Sequence, residues 1–272
     1  GTDLLIELDR AVRKAPDGSA PGLIDLTCIP GLAEITEVNG WIHLGPLVTH
    51  NQCVASSLIV EKAFPLARAC WEVGAPQIRN RATLAGNVCR ASPSADTLPP
   101  LVADGAVVQM HGPAGRREVA AEAFFTGPGR TVLARDEIVT GFRLPAPAPH
   151  TGKAYLKHGR RKAMELATVG VAVTLVRRGD TVEQVRIVLG AVAPTPLRAR
   201  AAEAVLEGRM PDAARLAEAA EAAMAESRPI SDVRASADYR RRMVGVLTRR
   251  AVESALEQAA AQAQAFPPED TK

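Results

Sequence analysis

The sequence predicts an α+β protein of two domains, and three observations carry that expectation. Short strand-like runs broken by Gly and Pro turns fill much of the first half. Pro145-Ala-Pro-Ala-Pro149 sets proline at alternate positions, which makes a stiff, extended linker. Beyond it, apolar β-type runs give way to three alanine-rich helical stretches, an order that suits a smaller α+β domain. The expected division is a first domain over 1–146, a second over 150–262 and a polar tail over 263–272.

Leu23-Ile-Asp-Leu-Thr27 and Trp41-Ile-His-Leu-Gly45 read as strands, with turns at Pro30-Gly31 and Asn39-Gly40 between them. Ser56 to Gly74 reads as a helix with Leu58, Ala63, Leu66 and Cys70 near one face, and Pro65 interrupts it. Ala106 to Met110 and Arg117 to Val119 flank a His111-Gly-Pro-Ala-Gly115 turn and predict a hairpin. Glu137 to Leu144 follows as a strand. Val169 to Val176 is continuously apolar, and Val185, Ile187 and Leu189 share one strand face. Helices are expected near Arg198 to Glu207, Pro211 to Glu226 and Ala235 to Ala263. In the last, Tyr239, Met243 and Leu247 recur every four residues, and Arg240, Arg241, Arg249 and Arg250 fall elsewhere.

A chain of 272 residues is long enough to bury sizeable cores. A net charge of +3 and an aromatic content of 3% argue against a nucleic-acid surface. Cys28, Cys53, Cys70 and Cys89 have no CxxC spacing, which argues against a zinc or iron–sulfur site and for isolated thiols in a reducing, cytoplasmic compartment. No apolar run approaches the roughly 20 residues of a membrane span, and no signal peptide is evident. The start at Gly1, without an initiator Met, reads as truncated or processed.

Thr83-Leu-Ala-Gly-Asn87, followed by Ala91-Ser-Pro-Ser-Ala-Asp96, carries most of the chemistry. Small residues, a hydroxyl and an amide suit close backbone approach to a phosphate, and a carboxylate suits ribose hydroxyls. The same residues also fit a plain turn, with Asp96 capping a helix at Thr97. Arg79 and Arg81 could steer a pyrophosphate or form a solvated edge. Lys157, His158, Arg160, Arg161 and Lys162 could face a cofactor or partner, or only solvent. His43, His50, His111, His150 and His158 lack metal-pair spacing and read as structural or surface residues. There is no P-loop, no G-x-G-x-x-G after a strand, no G-x-S-x-G elbow and no paired acids. Nucleotide-site features without acid–base or nucleophilic machinery fit a redox cofactor that brings its own reactivity.

In ordered series, these segments resemble the FAD-binding medium subunit of the molybdenum hydroxylases, the group of xanthine dehydrogenase, carbon monoxide dehydrogenase and 4-hydroxybenzoyl-CoA reductase. Gly1-Thr-Asp-Leu-Leu5 resembles the end of the family's first loop. Leu23 to Thr27 with Gly31 resembles its next segment. Gln77 to Asn87 resembles its "qIRn.aTiGGN" loop, and Ala91 to Asp96 its "aSPaaD" motif. Tyr155, Lys157, Arg161 and Ala167 fit "y.K...R...d.A", and Gly190 to Pro194 fits "lGgvaptp".

The resemblance implies a vanillyl-alcohol-oxidase-like (PCMH-type) FAD-binding domain followed by a CO-dehydrogenase-flavoprotein-type C-terminal domain. It implies FAD in this chain, with 2Fe-2S clusters in a small partner subunit and the molybdopterin cofactor in a large one, as a dimer of heterotrimers. Electrons would pass on to NAD, quinone or oxygen. By the same resemblance, Gly1, Thr2 and Asp3 belong to a first pyrophosphate loop, and Thr83, Leu84, Ala85, Gly86 and Asn87 to a second. Asp96 meets the adenosine ribose, Val139 packs on the adenine side, Lys157 lies near the nucleotide or flavin edge, and Leu166 lies near the isoalloxazine. No catalytic residue and no metal ligand is expected here.

Three departures accompany the resemblance. Ala85 stands for the first glycine of "GGN", which is compatible with negative φ and costly in a left-handed backbone. The family's opening βαβ-like segment is not in this sequence. Asn87 runs straight into Val88-Cys-Arg-Ala-Ser92, without the cysteine-rich insert that carries an extra cluster in one branch. Two other readings follow: a scaffold subunit of the same complex that has lost FAD, and a stand-alone flavin oxidase.

Overall fold

The computed structural model describes residues 1–10, 12, 14, 15, 17–19 and 21–265; the end of the expected polar tail lies outside them. The chain opens with helix α1 (Leu4–Asp9) and passes to a hairpin, β1 (Ile35–Val38) and β2 (Trp41–Leu44). Its two turn residues, Asn39 and Gly40, have φ of +52° and +74°, the left-handed pair that matches strand twist. The expected strand at Leu23 to Thr27 does not form. Leu23 and Ile24 are exposed, and no partner strand covers them.

Four helices follow: α2 (His50–Ala55), α3 (Ser57–Lys62), α4 (Phe64–Glu72) and α5 (Pro76–Arg79). The single helix expected over Ser56 to Gly74 is therefore two. Pro65 supplies no N–H to continue α3 and sits in the first turn of α4, where none is needed. Helices α6 (Leu84–Arg90) and α7 (Leu98–Ala103) lead to the expected hairpin, β3 (Val107–Gly112) and β4 (Gly115–Ala120). A short α8 (Ala121–Phe124) precedes β5 (Phe125–Gly127), β6 (Arg130–Thr131) and β7 (Ile138–Pro145). The first sheet is antiparallel in the order β1-β2-β7-β3-β4.

After the proline-rich linker come β8 (Thr151–His158), β9 (Val169–Arg178), β10 (Thr181–Gly190) and β11 (Leu197–Arg198), paired antiparallel in the order β11-β10-β9-β8. Helices α9 (Arg200–Leu206), α10 (Ala213–Glu226) and α11 (Ala237–Ala265) complete the chain. One face of this sheet buries Val171, Val173, Val185, Ile187 and Leu189 against those helices. From the other face Tyr155, Ala172 and Val188 enter the core of the first half, where α4 and α7 cover them. Coverage on both faces explains why Val169 to Val176 is apolar but for Thr174, whose hydroxyl donates to Asp104.

The inward face of α11 differs from the expected one. Arg240, Val244, Leu247, Ala251, Ala255 and Ala259 are buried, whereas Tyr239 is exposed and stacks obliquely on His158. Arg240 reverses its expected place because its guanidinium has partners inside. It donates to the Thr168 and Ala191 carbonyls and to Asp232, and those bonds offset the cost of burying the charge. A second buried ion pair, Lys153 to Asp104 at 2.9 Å, joins β8 to the end of α7. Among the described residues no helix is long and apolar enough to cross a membrane.

Candidate functional site

Thr83 does not sit in a free loop; it opens α6. Its backbone is extended, and its hydroxyl accepts from the Gly86 N–H at 3.0 Å, the N-cap arrangement that satisfies one exposed first-turn donor. Thr49 caps α2 in the same way, within a capping box completed by Gln52. The two caps face each other as an antiparallel bridge. Leu84 N–H donates to Val48 at 2.9 Å and His50 N–H to Ala82 at 3.1 Å. Two helices thus start from one braced point. Thr83→Val removes the cap acceptor and is expected to lower stability by about 1 kcal/mol in thermal or urea unfolding.

Ala85 lies in helical backbone and is buried, so its methyl adds no left-handed strain. Leu84 is buried beside it. Gly86 is exposed, and Asn87 is half-buried with Oδ1 accepting from the Thr97 hydroxyl at 2.6 Å. That bond engages the amide oxygen and leaves the two amide N–H groups as donors.

The N-terminal segment lies against the same turn. Arg90, on α6, reaches Asp3 at 3.4 Å and Glu7 at 2.7 Å. A cleft of about 600 Å³ opens between the two elements. Gly1, Thr2 and Asp3 line one side, and Thr83, Gly86 and Asn87 the other, with His50, Val73 and Ile78 among the remaining walls. Six of the residues expected from the sequence therefore meet in one cavity. Leu84 and Ala85 lie beneath it.

The other expected residues lie away from the cleft, and two of them, Asp96 and Lys157, pair with each other. Asp96 is buried and accepts from the Tyr155 hydroxyl at 2.8 Å and from Lys157 Nζ at 2.8 Å. Lys157 Nζ also donates to the carbonyls of Glu72 (3.3 Å) and Glu165 (2.8 Å). Burial pushes the Asp96 carboxyl above its usual range despite the attraction of Lys157, and burial raises the Tyr155 hydroxyl too. Asp96 does not cap α7, whose N-cap, Thr97, makes no side-chain capping bond. Leu166 is exposed directly after Glu165. Val139 is buried on β7, opposite Met110. None of these four lines the cleft, but the Thr97–Asn87 hydrogen bond joins the Asp96 loop to it.

Arg79 fits neither expectation. It is buried, and it donates to Asn51 and to the carbonyls of Trp71, Val73 and Gly74. It braces the end of α4 instead of steering an anion or facing solvent. His50 is the residue that sequence reading placed too loosely: it is fully buried and lines the cleft. Thr49-His-Asn-Gln52 has the capping-box spacing, which marks a helix start at His50.

Both halves of the chain match known protein families. Residues 1–147 match the family model described as the FAD binding domain in molybdopterin dehydrogenase. Residues 154–255 match the CO dehydrogenase flavoprotein C-terminal domain. The carbon monoxide dehydrogenase medium chain of Hydrogenophaga pseudoflava is 36% identical over 86% of this chain and 81% of its own length. The xanthine dehydrogenase FAD-binding subunit of Escherichia coli O157:H7 is 30% identical over 94% of this chain and 87% of its own. In structure, the chain superposes on one from Hydrogenophaga pseudoflava carbon monoxide dehydrogenase lacking the Mo-pyranopterin moiety. The TM-score is 0.89 at 35% identity, over 95% of this chain and 88% of that one. With both domains matched in order, and relatives this similar along most of their length, the chain belongs to the FAD-binding medium subunits of the molybdenum hydroxylases.

Proposed function

We propose that the chain holds FAD in the cleft between its N-terminal segment and α6, and serves there as an electron-transfer subunit. When bound, the cofactor supplies the redox chemistry, between 2Fe-2S centres of a small partner subunit and an acceptor such as NAD, quinone or oxygen. A large molybdopterin subunit completes the assembly, as a dimer of heterotrimers. The observation that carries this reading is the meeting of Gly1, Thr2 and Asp3 with Thr83, Gly86 and Asn87 around one cleft.

The donor set suits a pyrophosphate. The Asn87 side-chain amide and the Thr2 hydroxyl are short, neutral donors, and Gly86 lets a phosphate approach the backbone. Asp96, with one protein donor on each oxygen, keeps lone pairs for a ribose hydroxyl. Lys157 sets the position of Asp96, and through Glu165 that of the segment leading to Leu166. The scaffold reading draws on Ala85 and on the part of the first loop that is not in this sequence; the helical backbone at Ala85 speaks against the first of these grounds.

Absorption spectra of the purified complex test the proposal. Flavin bands are expected at one FAD per chain. Gly86→Val places a branched side chain in the cleft beside Thr83 Oγ1, 3.1 Å from the new Cβ, and is expected to weaken FAD binding at least about 10-fold by blocking close approach of the phosphate. Absence of flavin from the intact complex, or unchanged FAD binding by the variant, contradicts it.

A further inference from the structure

We infer that His50 is an additional anchoring residue of this cleft, donating a hydrogen bond from Nε2 to a phosphate oxygen of the bound dinucleotide. The inference rests on the FAD reading above and adds to it a residue outside both loops.

Three observations converge. His50 is fully buried, yet it forms part of the cleft wall. Its Nδ1 lies 3.4 Å from Cys70 Sγ, whereas its Nε2 is buried without a hydrogen-bond partner among the described residues. Buried ring nitrogens in folded proteins are nearly always partnered, and an orphan at a cleft wall is a position where a ligand atom can supply the partner. The ring is also held in place. The His50 N–H donates to Ala82, and the adjoining Thr49 bridges Thr83, so the imidazole is fixed relative to the first turn of α6.

The surroundings set its chemistry. Burial, reinforced by the charge of Arg79, lowers the His50 pKa to about 4, so the ring is neutral near pH 7. Burial beside Cys53 raises Cys70 well above the usual thiol range and keeps it protonated. With the Cys70 thiol taken as donor to Nδ1, 3.4 Å away, that nitrogen is the acceptor and the ring proton is left on Nε2. A neutral donor at this wall meets an acceptor oxygen, and the pyrophosphate of the FAD proposed for this cleft supplies one. Anchoring through a neutral ring adds no buried cation beside Arg79.

Titration of the full chain with FAD and with riboflavin, which lacks phosphate, tests the assignment. His50→Phe keeps the ring volume and removes the donor; it is expected to weaken FAD binding about 10- to 100-fold and leave riboflavin binding unchanged. His50→Gln restores a donor and is expected to recover part of the loss. Nitrogen-15 spectra of the labelled wild type provide a readout that needs no variant. They should show the Nε2–H tautomer, with its proton shifting when FAD is added. An unchanged FAD affinity in His50→Phe, an equal loss for riboflavin, or an Nδ1–H tautomer overturns the role of His50. A wild-type chain that takes up no FAD contradicts the function proposed above instead.

Discussion

Lys157→Met is expected to destabilise the protein by about 3–5 kcal/mol at neutral pH, because it leaves Asp96 buried without its counter-charge. Both side chains of the pair are nearly inaccessible, at 8% and 7% relative exposure, so solvent cannot take over the screening. The pH dependence follows from the sign of the Asp96 shift. Burial raises its folded pKa above the unfolded value of 3.8. The folded state therefore holds the proton more tightly, and this group favours folding below the unfolded pKa. That contribution is lost as pH rises through the folded pKa. Removing Lys157 takes away the main opposing attraction and lifts the folded pKa further. The penalty in Lys157→Met should thus shrink as pH falls and Asp96 becomes neutral. Adding Asp96→Asn should recover much of the loss at neutral pH. Urea unfolding of the single and double variants across pH checks both. A penalty independent of pH contradicts the buried-pair account.

Gly152→Val is expected to cost more than the roughly 1–3 kcal/mol typical of an overpacked core. A Cβ on Gly152 would lie 1.7 Å from the Ala255 carbonyl oxygen and 3.1 Å from the Ala259 Cβ. The first is helix backbone and cannot rotate away. Strand β8 and helix α11 would have to separate, which breaks the 2.6 Å bond from Lys153 N–H to Gln258 Oε1 and opens the apolar layer between them. Denaturant unfolding should show the loss, and limited proteolysis should show new cutting in α11. An unfolding midpoint equal to wild type sinks the prediction.

Much of this architecture was legible in the sequence, because local rules and tertiary context agree there. Asn39-Gly40, the Gly112–Gly115 turn and the linker at Pro145 to Pro149 each place a turn or connection where one forms. The failures have specific causes. Leu23 to Thr27 has strand composition, but strands are stabilised by partners, and none is near it. Charge and spacing put Arg240 off the apolar stripe and Arg79 at a pyrophosphate or a solvated edge, yet each finds carbonyls in the interior that no spacing rule reveals. The cleft shows the same division. The second loop could be read from Thr83 to Asn87, and its N-cap geometry could not be separated from a plain turn. His50 was missed because its significance lies in two contacts across the fold, to Cys70 and to the Thr83 segment.

The central claim is that one cleft, walled by Gly1 to Asp3 and by the start of α6, receives the dinucleotide. An experimental structure of the flavin-loaded complex tests it most directly. The account predicts the pyrophosphate against the Thr83 to Asn87 turn, with Gly1 to Asp3 closing over it and His50 Nε2 within hydrogen-bonding distance of a phosphate oxygen. FAD bound elsewhere on the chain, or bound with those two segments out of contact, would contradict it.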